Sequence, residues 1–471
     1  MATWKIEKFS GGISTGSKRG PEGSFFYGQN LDIHSDPDLL QVNVKTTKDS
    51  GSIVTDLPLF MSSEGVNNDI YAIGDTGNFY KKTSGSWSKL RTLGGGNAEG
   101  MRYFNDIIYF ASGDQLGTYN PSSGAFNEGY QSLNAANQHP MARFLDKIVV
   151  GNGQYLASVD GSGIWNETQL QVDNDYKVKS VDVAGGGNLL LVGTERTDKT
   201  DAKLFTWDGY GTNYIDVATI RENGINAIIA DDATILVNAG VRGNFYQYTG
   251  RNLADVKTIP SIERNKTGLV LPGSVANYQK DPIFGMSTGT STTVARGVYS
   301  WTSAEKNYPK VLNLEYTPSH GNLTGATNEI GGLFSEGENE LYIGWRNGST
   351  YGIDLVDGSG IASTAEYQTL VYDADAPQYI KFFSDVKIVL ARALRTGEKI
   401  DVYYDTNRSG SWTKITDATM DFAVDGAITK KSTDLKVRTT AFQLKLVFTI
   451  TGSTSPAVDA IITKFSKEGL F

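Results

Sequence analysis

Seven times along the chain a short apolar run ends on or just before a glycine. The runs are DIYAIG closing at Gly74, IIYFASG at Gly113, DKIVVG at Gly151, NLLLVG at Gly193, TILVNAG at Gly240, DPIFG at Gly285 and ELYIG at Gly344. The steps between these glycines are 39, 38, 42, 47, 45 and 59 residues, the spacing expected when each unit is one four-stranded blade of a β-propeller. The last step leaves room for a loop insertion. Upstream of each run lies a second short apolar stretch and a polar turn, as in MRYFND, MARFLD and VDVAGGGN. Downstream comes an aromatic segment, as in NFYKKT, KLFTWDG and GVYSWT, then a turn and an amphipathic stretch. Four strands per unit result. A glycine after the second strand is expected to supply the positive φ of a tight hairpin.

No stretch carries apolar residues at i, i+3, i+4 and i+7 over four turns, whereas alternation over four to eight residues recurs throughout. With 53 glycines, 24 tyrosines and 20 phenylalanines in 471 residues, the fold class is all-β: a seven-bladed β-propeller with an N-terminal extended arm and a C-terminal β-sandwich. Residues 1–52 read as the arm and two strands, 53–374 as the propeller and 375–471 as the sandwich. In the last segment Phe442, Leu444, Leu446, Phe448 and Ile450 alternate with more polar or smaller neighbours, the pattern of one buried face. The phrase SGSW occurs at residues 84–87 and again at 409–412. It reads as hairpin grammar, with Ser-Gly-Ser making the turn and Trp opening the next strand.

The chemistry-bearing residues are sparse. There is no cysteine, which excludes disulfides, thiolate nucleophiles and Cys-based metal sites. The three histidines, His34, His139 and His320, lie far from one another in sequence and show no metal-ligand or Ser-His-Asp spacing. The acidic pairs Asp36/Asp38, Asp231/Asp232 and Asp373/Asp375 lack the dense alternation and distal glutamate of a calcium loop. They read as turn carboxylates. SVDGSGIW at 158–165 resembles the Asp box of sialidases in Ser158, Asp160 and Trp165 and departs from it at Ser162 and Ile164; in that family the box is a structural hairpin. TWDG at 206–209 has no Gly-His companion, so it does not define a Trp-Asp repeat. Of the seven tryptophans, Trp87, Trp165, Trp207, Trp301 and Trp345 fall within the repeat units and Trp4 and Trp412 outside them. Packing between blades is their expected role, with sugar stacking by rim aromatics such as Trp207 and Trp301 as the alternative.

A net charge of −9 from 43 basic and 52 acidic residues argues against a dedicated nucleic-acid binder or a polybasic membrane anchor. No run reaches the length of a membrane span and the first residues carry no secretory pattern, so synthesis in a cytoplasm without secretion is the expectation. The sequons at Asn166, Asn265, Asn322, Asn347 and Asn407 are then chance matches in a Ser/Thr-rich chain.

The stretches GGIS, KRG, EGSFFYGQNLDI and DPDLLQV near the start, the seven units, and the ending TGSTSPAVDAIITKF together resemble the β-propeller structural proteins of tailed bacteriophages. The resemblance implies a non-enzymatic virion component of the tail, nozzle or adaptor region. Such a protein is made in the bacterial host cytoplasm and assembles with other virion proteins as copies around a symmetry axis. It implies no catalytic, cofactor-binding or metal-ligating residues. A glycan- or receptor-binding module meeting a host-surface glycan is the alternative, and a glycoside hydrolase the third reading. The first twenty-odd residues, with Gly11, Gly12, Gly16, Gly20 and Gly23 and the cations Lys5, Lys8, Lys18 and Arg19, are expected to stay extended until they meet a partner.

Overall fold

The computed structural model describes residues 1–14, 16, 18–64, 69–184, 186–230, 235–258, 268–279, 281–288, 296–303, 309–321, 328–337 and 339–467. It is all-β, with 60% of residues in strands and 2% in helices. Seven four-stranded antiparallel sheets follow one another along the chain. The first consists of Pro58–Ser63, Ile70–Gly74, Asn78–Thr83 and Ser86–Thr92. Each glycine-terminated run lies on the second strand of its sheet, from Ile70–Gly74 through Ile107–Ala111, Lys147–Asn152, Leu189–Arg196, Ile235–Ala239 and Asp281–Thr288 to Glu340–Asn347.

The chain divides into two compact units. One comprises residues 47–298 and 318–357, the other residues 1–46, 299–317 and 358–471. These limits differ from those expected at 52 and 374 because pairing carries short segments to new owners. Thr47–Lys48 is the fourth strand of the seventh sheet, pairing with Asp354 and Leu355, and Asp49 accepts a hydrogen bond from the Trp87 indole at 2.6 Å. Thr364–Thr369 instead pairs with Phe442–Ile450.

Within the first unit, the first strands of the sheets are neighbours in chain order. Pro58–Ser63, Gly100–Phe104, Met141–Phe144, Tyr176–Ala184, Ile225–Ala230, Gly268–Tyr278 and Asn328–Glu336 each pack beside the next, and Asn328–Glu336 packs beside Pro58–Ser63. Apolar clusters fill the wedges between successive sheets. Phe60, Tyr71, Phe79, Phe110 and Tyr119 join the first to the second, with the Phe79 and Phe110 ring centroids 5.6 Å apart. Met61, Ile70, Tyr80, Trp87, Tyr342 and Ile353 join the seventh to the first.

The repeated glycine has a different purpose from the one expected of it. Only Gly113 and Gly240 of the seven have positive φ, 55° and 73°. At four others the first strand of the next sheet lies too close for a side chain. A Cβ on Gly151 would come within 3.0 Å of Val178, one on Gly193 within 2.9 Å of the Ile225 Cβ, one on Gly285 within 3.1 Å of the Ile330 Cβ, and one on Gly344 within 2.6 Å of the Pro58 carbonyl oxygen. Gly331 carries the tightest of these approaches, since a Cβ there would overlap the Pro58 carbonyl oxygen, a backbone atom that no rotamer change can remove.

The second unit contains two sheets. One orders Ala2–Ile6, Val458–Lys467, Lys381–Leu390 and Lys430–Thr439. The other orders Phe25–Gln29, Thr364–Thr369, Phe442–Ile450, Glu398–Thr406 and Thr413–Lys414, with Met420–Asp421 also on Glu398–Thr406. Phe442, Leu444, Leu446 and Phe448 are fully buried, and Phe383 of the first sheet stacks on Phe442 of the second at 4.2 Å. The N-terminal segment is not the free extended arm expected from its glycines and cations. Ala2–Ile6 pairs antiparallel with Val458–Lys467, Trp4 stacks on Tyr372 at 4.6 Å, and Phe9 and Ile13 are buried. Three apolar anchors in thirteen residues suffice because each meets a preformed aromatic or aliphatic surface.

Two expected outcomes follow from this packing. Gly331→Ala forces apart Asn328–Glu336 and Pro58–Ser63 and destabilises the first unit by about 1–3 kcal/mol, read as a lower melting temperature in calorimetry. Leu446→Asp places a carboxylate among apolar side chains and destabilises the second unit by about 4 kcal/mol or more; an unchanged thermogram would contradict the packing described.

Candidate functional site

The first strands of all seven sheets converge on one cavity of about 250 Å3. Phe60, Met61, Met101, Met141, Ile229 and Leu333 contribute to its walls, although the surface it presents is more polar than apolar. Strand alternation sends successive side chains to opposite faces, and on two of the strands the cavity-facing position is charged. These are Arg102 on Gly100–Phe104 and Asp182 on Tyr176–Ala184. Both border the lumen, Arg102 as an exposed side chain and Asp182 as a half-buried one.

Asp182 is anchored by backbone donors, with Val183 N–H at 2.8 Å on one oxygen and Ala230 N–H at 3.0 Å on the other. Burial pushes its carboxyl up to about 6, against the opposing pull of those two N–H groups and of the Arg102 charge. The ring of strands around it lowers the Arg102 guanidinium, which the Asp182 charge partly offsets, and the exposure of the side chain to water limits the effect. Sequence reading identified MRYFND and VDVAGGGN as an inner strand and its turn without singling out these two residues. The usable signal was a charged residue in the middle of a strand whose counterparts in other units are apolar.

Two of the histidines face carboxylates that are distant from them in sequence. His139 is fully buried. Its Nδ1 lies 2.7 Å from the Gly151 carbonyl oxygen, so that nitrogen carries the proton. Its Nε2 faces Glu99 Oε2 at 3.3 Å. Burial, helped by the charge of Asp114, raises Glu99 to about 7, while burial lowers His139. Neither Glu99 Oε2 nor His139 Nε2 has a hydrogen-bond partner among the described residues, so the two buried atoms face each other unsatisfied. In the other unit His34 Nε2 lies 2.9 Å from Glu315 Oε1, and Ser300 Oγ is 2.6 Å from the same oxygen and 3.4 Å from the same ring nitrogen. Hydroxyl and carboxylate thus share one side of the ring. His320 packs beside Trp345, ring centroids 4.7 Å apart, and burial lowers it to about 4.

The turn motifs take up structural positions. Thr83 pairs with Ser86 across Ser84 and Gly85, whose φ values of 49° and 81° close the hairpin. The second copy also lies in a hairpin connection, where Asp405 accepts from the backbone N–H of Ser409 and Gly410. In the Asp-box-like hairpin, Asp160 Oδ1 accepts from Ser162 N–H at 2.8 Å and Ile164 N–H at 2.9 Å. Asp36 and Asp373 each cap the backbone two residues on, and Asp373 pairs with Lys18. Asp231, Asp232, Asn265 and Asn322 lie outside the described residues.

Trp207 and Trp345 are fully buried and Trp87 nearly so. Trp207 belongs to the wedge between the third and fourth sheets, and the Trp345 indole donates to Asp354 at 2.7 Å. These three are interior residues, which removes Trp207 from the set of sugar-stacking candidates. The exposed aromatic nearby is Tyr210, 77% accessible. Among the described residues, no three His, Asp or Glu side chains gather in a metal-holding group, and no helix is long and apolar enough to cross a membrane.

No family model matches the sequence, and no curated protein matches it. Solved structures that resemble it include two of an extracellular domain from B. thetaiotaomicron, described in one case as a hybrid two-component system and in the other as a one-component system. The first aligns with a TM-score of 0.47 at 13% identity, over 79% of this chain and 44% of that one. The second aligns with a TM-score of 0.47 at 12% identity, over 84% of this chain and 48% of that one. This chain thus spans less than half the length of either.

A carboxyl raised by burial holds its proton in the folded chain and loses it on unfolding, so its effect is to lower stability as pH rises from the ordinary glutamate value of about 4.3 towards 7. Glu99→Gln keeps a donor towards His139 Nε2 and removes that dependence. The variant is expected to gain on the parent protein by on the order of 2 kcal/mol between pH 5 and pH 8, read from paired melting curves. Parallel curves would show that Glu99 is ionised throughout.

Proposed function

We propose that this chain is a structural, non-enzymatic component of a tailed-phage virion, in the tail, nozzle or adaptor region, acting by protein–protein assembly. We propose also that its seven consecutive sheets close into a seven-bladed propeller. Two features support that closure: the neighbour relation between the seventh first strand and the first, and completion of the seventh sheet by Thr47–Lys48. A glycoside hydrolase would draw on two carboxylates facing one site, and Asp182 is the one carboxylate among the described residues lining the cavity.

The observation that carries the assembly reading is the strand Lys430–Thr439. It is ten residues long, lies at the edge of its sheet, and alternates exposed and half-buried positions. Lys430, Lys436 and Arg438 all fall on the exposed face, on a chain whose net charge is −9. Lysines on an edge discourage indiscriminate strand addition, and they favour a contact made through side chains to an acidic surface. A second copy of this chain supplies one, and copies repeated around an axis follow from such a head-to-tail contact.

In the test, mass photometry of the purified chain at low salt shows oligomers that dissociate as salt is raised. The triple variant Lys430→Glu, Lys436→Glu, Arg438→Glu stays monomeric with an unchanged melting temperature. Immunogold against the chain labels one end of intact particles. A monomer at every salt concentration, or label found only in the free lysate fraction, overturns the reading.

A further inference from the structure

We propose that the face made by the turns of the second, third and fourth sheets, apolar at its centre and acidic at its rim, is the surface on which the Lys430–Thr439 strand of a second copy of this chain docks. The inference rests on the head-to-tail assembly read above and names the surface that such an assembly uses.

Four connections form this face: residues 105–106, 145–146, 160–164 and 208–215. They touch one another across the sheets. Asn105 donates to the Gly161 carbonyl oxygen at 2.7 Å, the Tyr130 hydroxyl donates to that of Gly163 at 2.8 Å, and a Cβ on Gly209 would lie 2.6 Å from Leu145 Cδ1. Leu145, Ile164, Tyr210 and Ile215 stand in these connections with accessibilities of 42%, 64%, 77% and 58%. Single exposed apolar residues are ordinary, whereas four on adjoining turns make a patch. Leu145 is held there against the preference of its own backbone. Its φ is 55°, while the equivalent two-residue turn of the second sheet puts Asn105 and Asp106 at 51° and 63°, residue types that accept the left-handed conformation as leucine does not. An asparagine suits the free chain better at this position; a leucine suits a contact.

The same four connections carry Asp106, Asp146, Asp160 and Asp208 and no lysine or arginine. Arg143 and Lys147 flank the 145–146 turn and still leave the face negative. Asp106, Asp160 and Asp208 serve their turns through Oδ1, which leaves Oδ2 of each to an outside donor.

The strand Lys430–Thr439 has the complementary arrangement. Lys430, Lys436 and Arg438 are exposed, and Asp434 on the same face leaves it basic. Beside them Val424, 81% accessible, sits on a short helix over residues 422–425 that Lys431 holds through Asp425 at 2.8 Å. An apolar centre within a charged rim is the usual anatomy of a contact between proteins, and here the two rims are of opposite sign. Lys436 lies in a bulge, with φ 56° and a register shift where the strand passes Phe383 and Asp385. The bulge interrupts the ladder, so a partner meets side chains and not an open edge.

Mass photometry at low salt tests the pairing with two variants, each defective on one side. One is the strand variant Lys430→Glu, Lys436→Glu, Arg438→Glu, and the other a turn variant, Leu145→Asn, Ile164→Ser, Tyr210→Ser. Each alone is monomeric, and their mixture forms one-to-one pairs, because the intact turns of one meet the intact strand of the other. Leu145→Asn by itself raises the melting temperature of the monomer and weakens association about tenfold, a separation that a purely structural leucine does not produce. Hydrogen exchange reads the same face in the parent protein without any substitution: residues 145–146, 160–164 and 208–215 are protected at low salt and lose that protection as salt is raised. A turn variant that assembles like the parent while the strand variant does not overturns this inference and leaves the assembly reading standing. So does a mixture that stays monomeric, or exchange at these turns that ignores salt in a parent that assembles. A parent that is monomeric at every salt concentration overturns the assembly reading itself, and this pairing with it.

Discussion

Backbone must approach backbone where successive sheets meet, and the rest of the first unit depends on that approach. Gly331 against the Pro58 carbonyl and Gly344 against the same carbonyl at 2.6 Å from a notional Cβ bring the seventh sheet beside the first. Gly193 and Gly285 do the same for their own successors. Once the first strands are this close, the second strands diverge and leave wedges that aromatic side chains fill, as Phe79, Phe110 and Phe126 do between the first two sheets. The cavity is the space remaining at the narrow end of those wedges. Its small size and its charged pair are thus consequences of strand spacing, set by residues that carry no side chain.

The repeat was legible because it is written in two independent signals, the apolar run and its upstream partner, and both survive as the second and first strands of each sheet. The buried face of Phe442–Ile450 was legible for the simpler reason that alternation over nine residues has one solution. The purpose of the glycines was not legible. A hairpin and a close approach select the same residue, and only the position of the neighbouring sheet distinguishes Gly113, which has positive φ, from Gly285, which does not. The N-terminal segment was misread because composition counts residues and not their partners. Trp4 and Phe9 are few, yet each meets an aromatic ring hundreds of positions away, Tyr372 and Tyr367.

Of the candidate site, the strands could be read from the sequence and the charges could not. Arg102 and Asp182 are separated by two sheets of chain, and nothing local marks them as facing a common lumen. The same holds for Glu99 with His139 and for His34 with Glu315, pairs formed by tertiary structure between residues that sit in unremarked polar stretches. Spacing rules for metal or catalytic histidines search for neighbours along the chain, and in a fold built of repeated sheets the neighbours that matter lie one or more repeats away.

Thr47–Lys48 is synthesised ahead of every other strand of the first unit and finds its place beside Thr350–Val356. During translation it waits, unpaired, for some three hundred residues. The last sheet cannot be finished as the chain emerges, and the seam at Pro58 forms only when both ends of the unit are available. Folding of this unit is therefore not vectorial: the early sheets can form in order, but the final lock is a contact of high sequence separation, the kind that slows folding most. Until it forms, the first sheet shows the Met61, Ile70, Tyr80 and Trp87 face to solvent, which makes the nascent chain most exposed to aggregation at the end of synthesis, when its local structure is already complete.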